Sequence, residues 1–154
     1  MKEMLRNKWA VGVVAFSLAT VIVYIFLPLF KIPIFGVDDG LGWIKTVWMT
    51  RDFANVVSFL LPFIGAAGAI ASVFAKNREP HIFSIAFALL QVIFFAYFTI
   101  RMNLIVGSGV VFGGDGLSIF DILGSGTFVG LLSSLLATVS AVMLVVTDFR
   151  KSMR

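Results

Sequence analysis

The chain has 154 residues, of which 60% are hydrophobic and 13% are charged, and its formal net charge is +4. A soluble domain of this size needs more polar surface than these residues supply. The absence of cysteine excludes disulfides and thiolate metal sites. The composition therefore predicts an integral membrane protein whose first partner is the lipid bilayer.

Four apolar segments without Asp, Glu, Lys or Arg follow one another along the chain. They are residues 9–29, 53–75, 81–100 and 128–147. Each approaches the roughly 20 residues that span a bilayer as a helix, and a charge at mid-bilayer costs at least about 2.5 kcal/mol. We therefore predict four transmembrane helices. The first is interpreted as a retained helix, because it is too long for a signal-peptide core and lacks a convincing cleavage site.

Basic residues gather on one side of the predicted membrane. Eight of the twelve precede the first segment, join the second to the third, or follow the fourth: Lys2, Arg6, Lys8, Lys76, Arg78, Arg150, Lys151 and Arg154. Cytoplasmic loops carry such an excess, so both termini are expected in the cytoplasm, and the positive charge requires no nucleic-acid partner. Compact loops and the lack of Asn-x-Ser/Thr sequences favour a bacterial cytoplasmic membrane.

The second half of the chain resembles the first. The sequence AFSLATVI at residues 15–22 returns as AFALLQVI at residues 86–93, and FGVDDGL at residues 35–41 returns as FGGDGL at residues 112–117. Matches within apolar helices are common by chance, but the Gly/Asp loop match is not. The pattern predicts a tandem duplication.

The predicted repeats are residues 1–77 and 78–154, each with two spans joined by an outer loop, 30–52 or 101–127. An even number of crossings orients both repeats the same way, so a pseudo-twofold axis along the membrane normal is expected. The predicted fold class is therefore all-α, a four-helix bundle of two parallel helical hairpins.

Small residues recur on one face of the second and fourth segments. In order, they are Ser58, Pro62 and Gly65, aligned with Ser133, Ala137 and Ser140. Transmembrane helices associate where small residues allow close approach. We therefore predict that the second and fourth helices meet along these ridges, with the bulkier first and third helices outside. Pro62 is expected to kink the second helix.

Each outer loop has a Gly/Asp cluster between apolar, partly alternating residues, a pattern that predicts small β-hairpins. The alternative is a pair of short interfacial helices, with Trp43 at headgroup level. The candidate binding residues of these loops are Asp38, Asp39, Asp115, Asp121 and Trp43. They would engage a cation or a partner protein, or else they simply form Asp-Gly turns. Whether a metal binds is left open.

Three polar residues lie within the predicted spans. Gln91 is at the middle of the third, Thr20 is its counterpart in the first repeat, and Asn55 is near the start of the second span. For Gln91 we favour an interhelical hydrogen bond, worth about 0.6 kcal/mol, over a place on a substrate path. Asn55 is a helix cap or a polar entrance. His81 is the single histidine, so the sequence offers no zinc site or catalytic triad around it.

The layout of a short inner link and two outer loops is similar to that of claudins and related tetraspan proteins. Residues 40–43, Gly-Leu-Gly-Trp, resemble the Gly-Leu-Trp of a claudin first outer loop. The cysteine pair of that loop is missing and the loop is shorter, so the resemblance concerns layout alone. It implies an interaction module.

The leading functional hypothesis is a non-enzymatic tetraspan protein, an accessory or interaction subunit whose outer Gly/Asp loops contact another membrane protein or a second copy. The alternative is a small oligomeric transporter or channel, although no carboxylate lies within the predicted spans. A membrane enzyme using the outer-loop aspartates is the second alternative, and Asp115 and Asp121 lack the surrounding signature of lipoprotein signal peptidases. No cofactor is predicted.

Overall fold

The computed structural model describes residues 7–27, 29, 53–75, 81–107 and 123–153. Four α-helices occupy these ranges: α1 (Lys8–Phe26), α2 (Phe53–Phe74), α3 (His81–Gly107) and α4 (Ser125–Ser152). The described part of the chain contains no strand, which agrees with the predicted all-α class. The predicted β-hairpins lie outside the described residues.

Three of the helices are long and apolar enough to cross a bilayer, judged by length and composition. They are α1, residues His81–Ile100 of α3, and α4. Within α2, the described apolar stretch Leu60–Phe74 is shorter. Three of the four predicted spans therefore correspond to helices able to cross a membrane, and the fourth span stays a prediction.

The ends of α1 follow from local sequence. The side chain of Asn7 accepts a hydrogen bond from the backbone N–H of Trp9 at 3.1 Å, a standard N-cap. At the other end, Leu27 has φ −99° and ψ 143°, because a residue before proline is disfavoured in the helical region. The helix therefore stops at Phe26, three residues before the predicted end of the span.

The helices α3 and α4 are longer than predicted. The sequence placed residues 101–127 in an outer loop, yet α3 continues to Gly107 and α4 already begins at Ser125. α4 also continues to Ser152, five residues beyond the predicted end. The prediction ended the third and fourth spans just before Arg101 and Asp148. Charge marks the edge of the hydrocarbon, but the backbone hydrogen bonds of a helix continue past it.

The helices form a four-cornered bundle in chain order. Neighbours in contact are α1 with α2, α2 with α3, α3 with α4, and α4 with α1, whereas α1 and α3 touch narrowly across one diagonal. The helices α2 and α4 occupy the other two corners, and their described residues do not meet. The prediction that α2 and α4 pack together was therefore wrong.

The small residues of α2 and α4 instead receive large side chains from α3. Gly68 lies under the ring of Phe87, and Gly130 lies under the ring of Phe95. A row of small residues leaves a groove on the helix surface. An aromatic ring that fills this groove makes more van der Waals contacts than a second row of small residues would. The ridge residues also meet neighbouring helices: Gly65 lies against Gln91 of α3, and Ser133 and Ser140 lie against α1.

The direction of each helix can be read from two buried apolar clusters, one toward each end of the bundle. One combines Ala10 and Val13 of α1 with the later parts of α2 and α4 and with Ala88 of α3. The other combines Tyr24 of α1 with Phe94, Phe95 and Phe98 of α3 and with Leu123, which precedes α4. The helices therefore run up, down, up and down, so α1 and α3 are parallel.

The interior of the bundle holds small and polar residues together with one cluster of aromatic rings, and many large aliphatic residues face outward. The buried residues of α1 are Ala10, Val13, Ser17, Thr20 and Tyr24. The residues 71 positions later, in α3, are also buried: His81, Ser84, Ala88, Gln91 and Phe95. This distribution suits helices in lipid, where close approach rather than hydrophobicity selects the inner face.

Candidate functional site

Two groups of polar side chains are enclosed by the bundle. The central polar cluster consists of Ser17, Thr20, Gln91 and Ser133, of which the first three have no exposed surface and Ser133 is 7% exposed. The second group is the hydrogen-bonded pair of His81 and Asp148 at the start of α3 and the end of α4. Burial of polar atoms costs free energy unless they form hydrogen bonds, so their partners determine what each group can do.

In the central polar cluster, the hydroxyl oxygens of Thr20 and Ser133 lie 2.9 Å apart and join α1 to α4. The Thr20 hydroxyl is also 2.8 Å from the carbonyl oxygen of Phe16, and the Ser133 hydroxyl is 3.0 Å from that of Gly130. The two hydroxyl groups have only two protons to donate, whereas three oxygen–oxygen contacts need a donor. Thr20 therefore donates to Ser133 and Ser133 to Gly130, or Ser133 donates to Thr20 and Thr20 to Phe16.

Across the diagonal, Gln91 of α3 reaches Ser17 of α1. Its Nε2 donates to the Ser17 hydroxyl oxygen at 3.3 Å, and the side chain has no exposed surface. This bond closes the bundle axis at mid-helix. The other terminal atom of the amide, Oε1, has no hydrogen-bond partner among the described residues. A buried unpaired amide oxygen is rare in proteins.

Glycine residues make this close approach possible. A Cβ on Gly65 would lie 2.7 Å from Cγ of Gln91 and 2.8 Å from the backbone oxygen of Phe87. A Cβ on Gly12 would lie 2.7 Å from the hydroxyl oxygen of Ser140. Any other residue at position 65 would therefore displace Gln91 or the α3 backbone from the bundle interior.

The second group links the ends of two helices. Nδ1 of His81 lies 2.6 Å from Oδ2 of Asp148, and their side chains are 11% and 16% exposed. With the proton on Nδ1, the imidazole donates this hydrogen bond to the carboxylate. Nε2 of His81 is buried without a hydrogen-bond partner among the described residues.

The basic end of the bundle is the end that carries Lys8, Arg150 and Lys151, all of which are exposed. The His81–Asp148 pair lies at this end. At the opposite end, the carbonyl oxygen of Leu29 accepts from the Thr127 hydroxyl at 2.6 Å and from the backbone N–H of Gly124 at 2.9 Å. Polar contacts thus fasten both ends of the bundle as well as its centre.

The residues singled out from the sequence have different positions. Thr20, Gln91 and Ser133 belong to the central polar cluster, and Gly65 supports it. The remaining ridge residues Pro62, Ala137 and Ser140 are buried. Asn55 and Ser58 are part of α2, but their side chains are outside the described structure. The outer-loop candidates Asp38, Asp39, Trp43, Asp115 and Asp121 also lie outside the described residues.

Sequence reasoning missed Ser17 and the His81–Asp148 pair. Asp148 lies immediately beyond the fourth predicted span and His81 begins the third, so an up-and-down bundle brings both to the same end. This signal was present in the sequence. Ser17 had none of its own, because a serine in a transmembrane helix usually bonds to its own backbone.

The described site offers hydrogen-bonding groups and one imidazole–carboxylate pair. Among the residues that the structure describes, no group of three His, Cys, Asp or Glu side chains is placed to hold a metal ion. Comparison of the chain with protein-family models, curated proteins and solved structures found no match.

Proposed function

We propose that this chain is a non-enzymatic integral membrane protein of four spanning helices that acts as an accessory or interaction subunit through its outer loops. The observation that carries the proposal is the closed interior. The Gln91–Ser17 bond crosses the axis, and aromatic rings fill the grooves over Gly68 and Gly130. When the interior of a bundle is filled by its own side chains, only the lipid-facing surface and the loops can contact other molecules.

Two like-oriented hairpin repeats form the bundle in this proposal. Each buried residue of α1 has a buried counterpart in α3 at a constant interval, for example Ser17 with Ala88 and Thr20 with Gln91. A twofold axis along the bundle also relates the α2–α3 contact to the α4–α1 contact. The cyclic helix order and the parallel direction of α1 and α3 are what such an axis requires.

The outer surface suits lipid. The outward positions hold large apolar side chains, including Ile22, Phe26, Phe83, Leu132 and Val139. Lys8 lies over the ring of Trp9, 5.2 Å from its centre, at the basic end. Tryptophan is typical of both membrane interfaces, and an excess of basic residues is typical of the cytoplasmic one. We therefore place both termini in the cytoplasm, with the cell membrane, most simply a bacterial cytoplasmic membrane, as the location.

The outer loops supply the partner contact in this proposal. They hold the repeated Gly/Asp sequences with Asp38, Asp39 and Asp115, together with Asp121 and Trp43. Loops carry binding residues more often than the elements that support them. In this proposal both helices of each repeat hold the chain in the bilayer. The partner is therefore another protein of the same membrane or a second copy of the chain.

Affinity purification from native membranes tests this proposal. The tagged full chain is compared with a variant carrying Asp38→Asn, Asp39→Asn and Asp115→Asn, and with a control carrying Arg150→Gln and Lys151→Gln at the basic end. We expect a stoichiometric partner with the parent chain and the control, and its loss with the aspartate variant. Equal recovery by all three proteins, or no stoichiometric partner with the parent chain, contradicts the proposal.

A small oligomeric transporter is the second candidate, and one observation favours it. The unpaired amide oxygen of Gln91 lies at mid-helix between the two proposed repeats, the position at which many transporters bind their substrate. Reconstitution into liposomes tests this candidate. Solute or ion flux that tracks the purified chain and changes with Gln91→Met would favour transport over an accessory role.

A further inference from the structure

The terminal amide of Gln91 has an unmet hydrogen bond in either of its orientations. As described, Nε2 donates to the Ser17 hydroxyl and Oε1 has no partner. If the amide is rotated by 180°, the Ser17 hydroxyl donates to Oε1 and Nε2 becomes the atom without a partner. One end of a completely buried amide is therefore unsatisfied in both cases, and leaving it so costs more than a typical hydrogen bond contributes.

Polar atoms with spare hydrogen-bonding capacity lie on the face of α1 that contacts this amide. The Ser17 hydroxyl accepts from Gln91, and its own proton has no acceptor among the described residues. Ser17 and Thr20 are three residues apart and share one face of α1. The Thr20–Ser133 pair can reverse its direction of donation, so Thr20 presents a lone pair in both arrangements. A buried water needs two to four such partners.

The chemistry of the cluster restricts what it would bind. None of its four side chains is charged, so a neutral molecule is favoured. In the described orientation Oε1 of Gln91 needs a donor and the Ser17 proton needs an acceptor, so one molecule that bridges them must both donate and accept. Gly65 approaches Gln91 so closely that an added Cβ would overlap its Cγ, so the molecule must be small.

We propose that the central polar cluster binds a single water-sized molecule between the amide of Gln91 and the hydroxyl of Ser17. The bound molecule satisfies the amide and provides a bridge between α1 and α3 across the bundle diagonal. This inference depends only on the packing of α1, α3 and α4, and it holds whether or not the outer loops bind a partner.

The sequence provides a direct test, because Gln91 is the only glutamine in the chain. Glutamine-specific ¹⁵N labelling of the purified full chain in detergent gives one pair of side-chain amide signals. We expect cross-relaxation between these amide protons and a long-lived water. Cross-peaks to protein protons alone, with none to water, overturn the proposal.

Matched variants show whether the water belongs to this cluster. Ser17→Ala retains the labelled amide but removes the second ligand, so the water cross-peak should fall at least twofold. Ser134→Ala is the control, because its buried hydroxyl donates within α4 to the carbonyl oxygen of Leu131 at 2.8 Å. An equal loss in both variants, or in neither, argues against a water held by Ser17.

A stability measurement gives an independent readout should Ser17→Ala fail to fold. Gln91→Met keeps the length of the side chain without its hydrogen-bonding atoms. If the amide is satisfied by a bound molecule, this substitution should lower the unfolding midpoint by at least about 2 °C. A raised midpoint means that the amide was buried dry and unpaired, and it overturns the proposal.

Discussion

Nδ1 of His81 lies 2.6 Å from Oδ2 of Asp148 and joins the first residue of α3 to the last two turns of α4. The two residues are 67 positions apart, and both side chains are largely buried. A charge-assisted hydrogen bond in such surroundings is stronger than one at the surface. It therefore fixes the longitudinal position of α4 against α3 at the basic end.

The first prediction concerns this bond. His81→Gln moves the side-chain nitrogen away from Asp148, and we expect a loss of about 1–3 kcal/mol because the mostly buried carboxylate loses its hydrogen bond to the imidazole. His81→Asn keeps an amide nitrogen near the Nδ1 position and should lose less. The measurement is reversible unfolding of the purified chain in mixed micelles.

The matched control for this prediction is Lys151→Gln, which changes an exposed residue at the same end of the bundle and should alter stability by no more than about 0.5 kcal/mol. Equal losses for His81→Gln and His81→Asn would show that packing of the ring, rather than its bond to Asp148, stabilises this end.

The membrane class and the helices themselves could be predicted because they depend on composition and length. Three charge-free segments correspond to helices able to span a bilayer. The extra turns of α3 and α4 could not be predicted in this way. Arg101 and Asp148 end the apolar segments, but the backbone hydrogen bonds that continue a helix do not require apolar side chains.

The helix neighbours could not be predicted for a different reason. Small residues mark where another helix can approach, but they do not specify which helix does. The ridge of α2 receives Gln91 and Phe87 from α3, while Ser133 and Ser140 of α4 meet α1. Only the three-dimensional positions of the large side chains decide between these arrangements, and in an apolar helix large residues occur on every face.

The second prediction concerns the glycines. Gly65→Ala places a Cβ against both Cγ of Gln91 and the backbone oxygen of Phe87, and the backbone cannot rotate away. We expect a loss of about 1–3 kcal/mol from overpacking. The Gln91→Ala substitution should restore only part of this loss, because the contact with the Phe87 oxygen remains. Thermal unfolding of the single and double variants measures both effects.

Gly12→Ala is the informative comparison, since a Cβ there would meet only the side chain of Ser140 within 3.4 Å. The double variant Gly12→Ala with Ser140→Gly should regain most of the lost stability. Full rescue at position 65 and none at position 12 would contradict the described packing of α2 against α3 and of α1 against α4.

The third prediction uses the two protons shared by three contacts around Thr20 and Ser133. Thr20→Val removes one hydroxyl, after which Ser133 can still donate to the Gly130 carbonyl. Because no atom is left unpaired, the loss should be small, about 0.6 kcal/mol. Ser133→Ala should cost a similar amount, since Thr20 can still donate to Phe16.

The double variant distinguishes an interhelical bond from two independent ones. Thr20→Val combined with Ser133→Ala should cost less than the sum of the single variants, because each single change already removes their mutual bond. Thr138→Val is the control, since its hydroxyl donates only within α4, to the carbonyl oxygen of Ser134. Strict additivity would mean that the 2.9 Å contact contributes nothing.

The fourth prediction concerns orientation in the membrane, which the basic end of the bundle implies. The chain has no cysteine, so a single introduced cysteine reports its own position. With a membrane-impermeant maleimide, Asp39→Cys and Asp115→Cys should react in intact cells, and Lys151→Cys only after permeabilisation. The physical reason is that basic residues near helix ends are retained in the cytoplasm.

The control for this prediction is Ala137→Cys, which is buried between the helices and should stay unreactive in both conditions. Labelling of Lys151→Cys in intact cells would show that the bundle has the opposite orientation, with the Gly/Asp loops in the cytoplasm. The proposed interaction through outer loops would then be wrong.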